Sequence, residues 1–171
     1  MARHRHPTYE ERAALYAAIQ EQYSQQLYHF CRVCYPDDKY RCDSLYSDLF
    51  YHIWKGLATF RHESTLSTWL YRVARNTARN DRFRQRHTLT FRRLEAGDLD
   101  IADTTDTDPQ LDELYSLIRR LDFDDRHLVY LYLQQLPQHE IARILDISTT
   151  NVSTRINRIK KKLKKMHDET Q

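Results

Sequence analysis

Apolar residues recur along this chain at steps of three and four, and the breaks between those runs divide it into helices. Tyr16, Ile19, Tyr23, Leu27 and Phe30 mark one long helix, or a helix pair, across residues 8–35. The run Tyr35-Pro36-Asp37-Asp38 interrupts it, because proline disfavours helical backbone in the residue before it. Asp43 or Ser44 can cap a second helix, whose stripe is Leu45, Leu49, Ile53 and Trp54. Gly56 and the segment Thr59 to Ser64 read as a loop, and Ser64 and Ser67 as caps of a third helix over 67–85. On that helix Leu66, Trp69, Leu70, Val73, Ala74 and Thr77 share one side, while Arg72, Arg75, Arg79 and Arg82 follow on the other. An arginine row opposite an apolar stripe is either a solvated face or a phosphate-binding one, and the near-perfect register predicts binding.

Residues 88–110 lose this periodicity; rich in Asp and Thr, they predict a flexible acidic linker. Helices resume with Leu114, Leu117, Ile118 and Leu121, then with Arg126 to Gln134, where Leu128, Leu131 and Tyr132 should face inward. Residues 136–166 read as a helix-turn-helix. Glu140, Ile141, Ala142 and Leu145 lie on a short helix, and Ile147 and Ser148 make the turn. Val152, Ile156, Ile159, Leu163 and Met166 form the stripe of a longer second helix, whose other face is basic: no acid occurs over 155–165. A short helix, a tight turn and a basic helix are the elements that lay side chains into a DNA major groove.

Only two glycines and four prolines occur, and 30% of residues are charged. Scarce turn residues and helical periodicity predict an all-α chain: two small helical domains, 1–87 and 111–171, joined by the 88–110 tether. The net charge of +3 is modest, but residues 72–93 hold eight arginines and one acid, whereas 94–125 hold eleven acids and two arginines. Separate charged surfaces, rather than a uniform field, are expected. No secretory leader and no apolar run of membrane-spanning length is visible, which predicts a cytoplasmic protein without membrane insertion. Cys31, Cys34 and Cys42 are odd in number and predict reduced thiols. With His29 they could supply four zinc ligands or a redox switch, but their helical setting favours the role of small buried apolar residues, with no metal and no cofactor. No glycine-rich phosphate loop or Ser/His/Asp constellation is present, so catalysis is not expected.

The segment FRHESTLSTWLYRVARNTARNDRFRQ, residues 60–85, resembles the second conserved region of bacterial RNA polymerase sigma factors, most of all the extracytoplasmic-function (group IV) subgroup. RCDSLYSDLFYHIW, just before it, resembles the family helix that grips polymerase, and LPQHEIARILDISTTNVSTRINRIKKKL resembles the fourth region. The resemblance implies an alternative sigma factor that binds core RNA polymerase and promoter DNA, commonly held inactive by an anti-sigma protein. It assigns polymerase binding to Asp43, Leu45, Ser47, Asp48, Phe50, Tyr51 and Trp54. It assigns recognition and melting of the minus-ten element to Phe60, Arg61, His62, Glu63, Ser64, Trp69, Arg72, Arg75, Asn76, Arg79, Asn80 and Arg82. The minus-thirty-five element would fall to Thr150, Asn151, Ser153, Thr154, Arg155, Asn157, Arg158 and Lys160, with Arg155, Arg158 and Lys160 mainly on phosphate. The acidic linker would thread the polymerase channel. Ser44 and Ser47 depart from the family's usual acid and glutamine, His62 from its loop glycine and Asp146 from its turn glycine. Two alternatives stand beside the sigma-factor reading: a helix-turn-helix regulator that never binds polymerase, supported by the altered 43–48 helix, and a thiol- or zinc-dependent sensor on the same scaffold, using His29, Cys31, Cys34 and Cys42.

Overall fold

The computed structural model describes residues 7–88, 114 and 116–169, and all its regular elements there are helical. Helix α1, Tyr9–Cys34, is one continuous helix. Thr8 opens it with a capping box: its hydroxyl accepts from the Glu11 N–H at 3.2 Å, and the Glu11 carboxylate accepts from the Thr8 N–H at 2.8 Å. Helix α2, Lys39–Leu57, begins earlier than the Asp43 or Ser44 cap predicts. Asp38 takes that part, accepting from the Arg41 N–H at 2.9 Å as soon as the chain has passed Pro36. Nor does α2 stop before Gly56. A Cβ there would lie 2.8 Å from Cζ2 of Trp69, so this glycine lets the end of α2 approach the next helix instead of making a loop. Helix α3, Leu66–Thr88, is capped by Thr65 rather than Ser64 or Ser67, the Thr65 hydroxyl accepting from the Thr68 N–H at 3.2 Å.

The linker predicted over 88–110 lies outside the described residues, apart from Thr88 at the end of α3. A short helical stretch over 116–119 leads to α4, Phe123–Leu133, capped by Asp122. Helix α5, Gln138–Leu145, ends on Asp146 at φ 56°, the left-handed conformation that aspartate tolerates better than most residues. Ser148 then caps α6, Thr149–Asp168, by accepting from the Asn151 N–H at 3.1 Å. The helix-turn-helix is therefore α5, the Asp146–Ser148 turn, and α6.

Helices α1, α2 and α3 pack into one bundle, and α5 and α6 pack on α4 in another. The two bundles are docked: α1 lies on α4, α3 lies on α5, and one continuous apolar cluster runs through both. Helix α4 is the shared wall. Phe123, His127, Leu128, Val129, Tyr130 and Leu131 are all buried, the signature of a helix covered on most sides. Tyr132, expected inward, is instead 37% exposed, whereas Tyr130 is buried and its hydroxyl reaches the Gln26 carbonyl of α1.

Candidate nucleic-acid interface

The loop before α3 and the first turns of α3 form a cavity of about 690 Å³. Phe60, Arg61, Glu63, Ser64, Trp69 and Arg72 line it from this side, and Arg143 and Asp146 from the helix-turn-helix. The Phe60 ring lies 4.9 Å from Trp69 and 4.4 Å from His62, giving an aromatic floor beside two guanidiniums. His62 takes φ 57°, so the glycine-like conformation is kept with a histidine in it, at some strain. Arg61 and Glu63 approach to 4.0 Å, but both are exposed, and such a pair contributes little.

Beyond the loop the arginine row of α3 divides. Arg72, Asn76, Arg79 and Asn80 are exposed. Arg75 is half-buried, its Nη1 3.5 Å from the Ile144 carbonyl oxygen, and burial, with Arg79 nearby, lowers its pKa. Arg82 stacks 4.5 Å over the Phe123 ring. The periodicity places all four on one side, but two of them meet the other bundle.

On α6, Thr150, Asn151, Thr154 and Asn157 are exposed, while Ser153 is half-buried and donates to Gln138. Arg155 and Arg158, expected mainly on phosphate, also meet a carboxylate of the protein itself. Arg155 donates to Asp125 Oδ1 through Nη2 at 2.6 Å and Nε at 3.2 Å, and Arg158 Nη2 reaches the same carboxylate at 3.2 Å. Asp125 is 2% exposed, and a buried carboxylate needs such partners. Lys160 is likewise engaged, its Nζ donating to the Tyr132 hydroxyl at 2.8 Å. In the sequence Asp125 looks like one more acid favouring a helix N-terminus.

On α2, Asp43, Ser47 and Tyr51 are exposed, with Asp48 and Trp54 partly so. Asp43 accepts from the Tyr28 hydroxyl at 3.1 Å, Ser47 donates to the Asp43 carbonyl at 3.0 Å, and Asp48 lies 3.7 Å from Arg84. Trp54 carries the Arg12 guanidinium 4.0 Å over its ring. Leu45 and Phe50, expected on the same surface, are 2% and 7% exposed; their side chains turn into the core, as the apolar stripe requires, and they hold the helix rather than present it.

The thiols follow the packing reading. Cys31, Cys34 and Cys42 are free and buried, whereas His29 is exposed. Among the described residues no group of three or more His, Cys, Asp or Glu side chains is placed to hold a metal ion. Burial raises the thiol pKa of all three, that of Cys42 to about 11, which keeps them protonated and weakly nucleophilic. Cys34 Sγ lies 3.0 Å from His127 Nε2.

Residues 19–88 match the family of sigma-70 region 2, and residues 111–163 that of sigma-70 region 4. RNA polymerase sigma factor YlaC of Bacillus subtilis (strain 168) is 30% identical over 134 residues, 71% of this chain and 74% of that protein. The chain belongs to the sigma-70 family. The ECF RNA polymerase sigma factor SigX of the same organism is 28% identical over 158 residues, 86% of this chain and 80% of that protein, which places the chain in the extracytoplasmic-function group. This sigma factor is an alternative one that binds core RNA polymerase and promoter DNA to direct transcription initiation. Two solved structures share its fold across both bundles. RpoE of Bartonella quintana, in complex with the anti-sigma factor NepR, superposes with a TM-score of 0.75 at 17% identity, covering 90% of this chain and 96% of that one. CnrH, in complex with the cytosolic domain of CnrY, gives 0.67 at 21% identity, covering 93% and 91%. Among the described residues no helix is long and apolar enough to cross a membrane.

Proposed function

We propose that the two halves of this sigma factor divide promoter recognition between them. Residues 1–87 engage polymerase through the outer face of α2, with Asp43, Ser47, Asp48, Tyr51 and Trp54, and capture the minus-ten element with the loop around Phe60 and the α3 side chains Arg72, Asn76, Arg79 and Asn80. Melting needs a cationic track and aromatic groups on which a freed base stacks, and Phe60 and Trp69 beside Arg61 and Arg72 combine both. Residues 111–171 read the minus-thirty-five element, and 88–110 tether the halves through the polymerase channel. Thr154 and Asn157 read base edges, and neighbouring cations hold phosphate. The protein works in the cytoplasm as a regulator, not an enzyme, and needs no cofactor or metal. An anti-sigma protein is its expected inhibitor, in keeping with the NepR complex of the Bartonella quintana relative.

The observation that carries this assignment is the outward placement of Thr154 and Asn157 on a helix whose other face, Val152, Ile156 and Ile159, is core. Its test is the Thr154→Ala/Asn157→Ala double variant in transcription from promoters with altered upstream elements. Base preference is expected to change by about 1–3 kcal/mol for each good contact removed, with core polymerase binding unaltered. Loss of polymerase binding would contradict the division of labour.

A further inference from the structure

Polar anchors flank the exposed face of α6 on both sides. Residues step round a helix by about 100°, so Thr150, Thr154 and Asn157 lie opposite the core residues Val152, Ile156 and Ile159. On one flank Ser153 donates to Gln138 of α5, and Lys160 Nζ donates to the Tyr132 hydroxyl of α4. On the other flank Arg155 and Arg158 converge on Asp125 of α4. The helix is held in rotation as well as in place, and the anchored side chains end where the exposed ones begin.

Asp125 treats its two arginines unequally. Arg155 gives both Nε and Nη2 to Oδ1, and its side chain is only 23% exposed. Arg158 gives Nη2 alone, at 3.3 Å to Oδ1 and 3.2 Å to Oδ2, on a side chain 65% exposed. A guanidinium carries its five N–H donors in one rigid plane, so holding Nη2 also sets the direction of Nε and Nη1. Two guanidiniums against one carboxylate leave a net positive charge on this flank, next to Asn157. Asp125 cannot swing out to follow a moving arginine: it is buried, and its backbone N–H donates to the Asp122 carboxylate at 2.9 Å in the first turn of α4.

We propose that Asp125, which touches no DNA itself, is a positioning residue for duplex recognition: it holds the Arg158 guanidinium at the rim of the exposed face, with the remaining N–H groups turned to one phosphate of the minus-thirty-five element. This rests on the reading of α6 given above. A phosphate contact carries no sequence information, but it sets the register in which Thr154 and Asn157 meet base edges. Discrimination between sequences then depends on a buried acid one helix away from the DNA. Asparagine at 125 would keep the size of the side chain but offer one acceptor oxygen in place of two, with an NH2 group against the second guanidinium. Arg158 would keep its charge and lose its aim.

The test is competitive binding by the holoenzyme reconstituted with core polymerase, at several salt concentrations. The probes are a promoter duplex that it transcribes and the same duplex with a scrambled minus-thirty-five element. For Asp125→Asn the preference for the intact element is expected to fall about tenfold. Affinity for the scrambled duplex should hold or rise, because a negative charge has left the surface. Arg158→Ala leaves Asp125 paired with Arg155, so it keeps the fold; it is expected to lower the salt slope by about one. Asp125→Asn added to Arg158→Ala should then bring little further loss of preference. A merely structural role would instead lower both affinities together, and that result overturns the proposal. So does a full further loss in the double variant. The Thr154→Ala/Asn157→Ala variant serves as reference. If it loses the preference and Asp125→Asn does not, the positioning role falls and the reading of α6 stands. If neither loses it, the reading of α6 falls as well.

Discussion

The two basic helices, α3 and α6, carry arginines at similar spacing and engage them in different ways. On α6, Arg155 and Arg158 pair with Asp125 of the neighbouring α4, so they stay engaged whatever the other bundle does. On α3, Arg75 and Arg82 meet Ile144 and Phe123 of the opposite bundle, so their engagement lasts only while the bundles are docked. The same pattern in sequence thus yields a fixed set of cations in one place and a releasable set in the other. For α6 the lesson, on the function proposed above, is that specificity lies with uncharged side chains, Thr154 and Asn157. For α3 it is that part of the arginine row, Arg75 and Arg82, is covered by the other bundle.

The largest effect that tests this contrast comes from removing the fixed acid. Asp125→Ala should cost about 2–3 kcal/mol of stability, since the carboxylate is buried and Arg155 is only partly solvated. Thermal unfolding measures it, and an unchanged midpoint would mean that α6 is held by its apolar face alone. Asp125→Asn should lose less, because the amide oxygen still accepts.

A somewhat smaller effect comes from pH, through the seam between α1 and α4. An imidazole exposed by opening takes a proton near its ordinary value of 6.5, whereas the docked His127 does so only at about 3. Docking is therefore at full strength above 6.5 and weakens as pH falls from there towards 3. At pH 5 the loss from this one group is about 2 kcal/mol. The Cys34 thiol faces the ring, and the guanidiniums of Arg126, Arg75 and Arg82 add to the penalty on its charged form. Scattering at pH 7.5 and pH 5 should show the chain expanding on acidification, and His127→Gln should remove most of that response.

The smallest effect separates the two kinds of arginine on α3. In complexes with polymerase, Arg75→Ala and Arg79→Ala should each lower the salt dependence of open-complex formation by about one unit of slope. In single-strand binding by the free chain, Arg79→Ala should lower the slope more than Arg75→Ala does, because Arg79 is exposed and Arg75 is half-buried against Ile144. Equal slopes for the two variants in the free chain would erase the distinction.

Much of this architecture was legible as periodicity. The stripes of α1 and α2, the arginine row of α3 and the full helix-turn-helix follow from steps of three and four, because each helix shows its own apolar face in the chain. What covers that face is not written there. Phe30 belongs to a legible stripe, yet nothing local says that His127, nearly a hundred residues later, stacks upon it. The periodicity of α4 points Leu128, Leu131 and Tyr132 inward, which fits a helix with one partner; the real helix has several, and Tyr130 is buried while Tyr132 is not. Caps shifted to Asp38 and Thr65 because several neighbouring polar side chains were able to accept the same orphan N–H groups. At the site, the exposed side chains of α6 and the aromatic loop follow from motif spacing. The engagement of Arg155 and Arg158 was not, since it depends on one buried acid among eleven in the 94–125 stretch.

The most direct test of the account is the binding of the purified chain to bacterial core RNA polymerase, followed by run-off transcription on a promoter library. Tight binding with a small, selective set of transcripts is the expected result, and it would hold despite Ser44 and Ser47 on α2. Absence of core binding, with sequence-specific duplex binding retained, would contradict it and leave a helix-turn-helix regulator in its place.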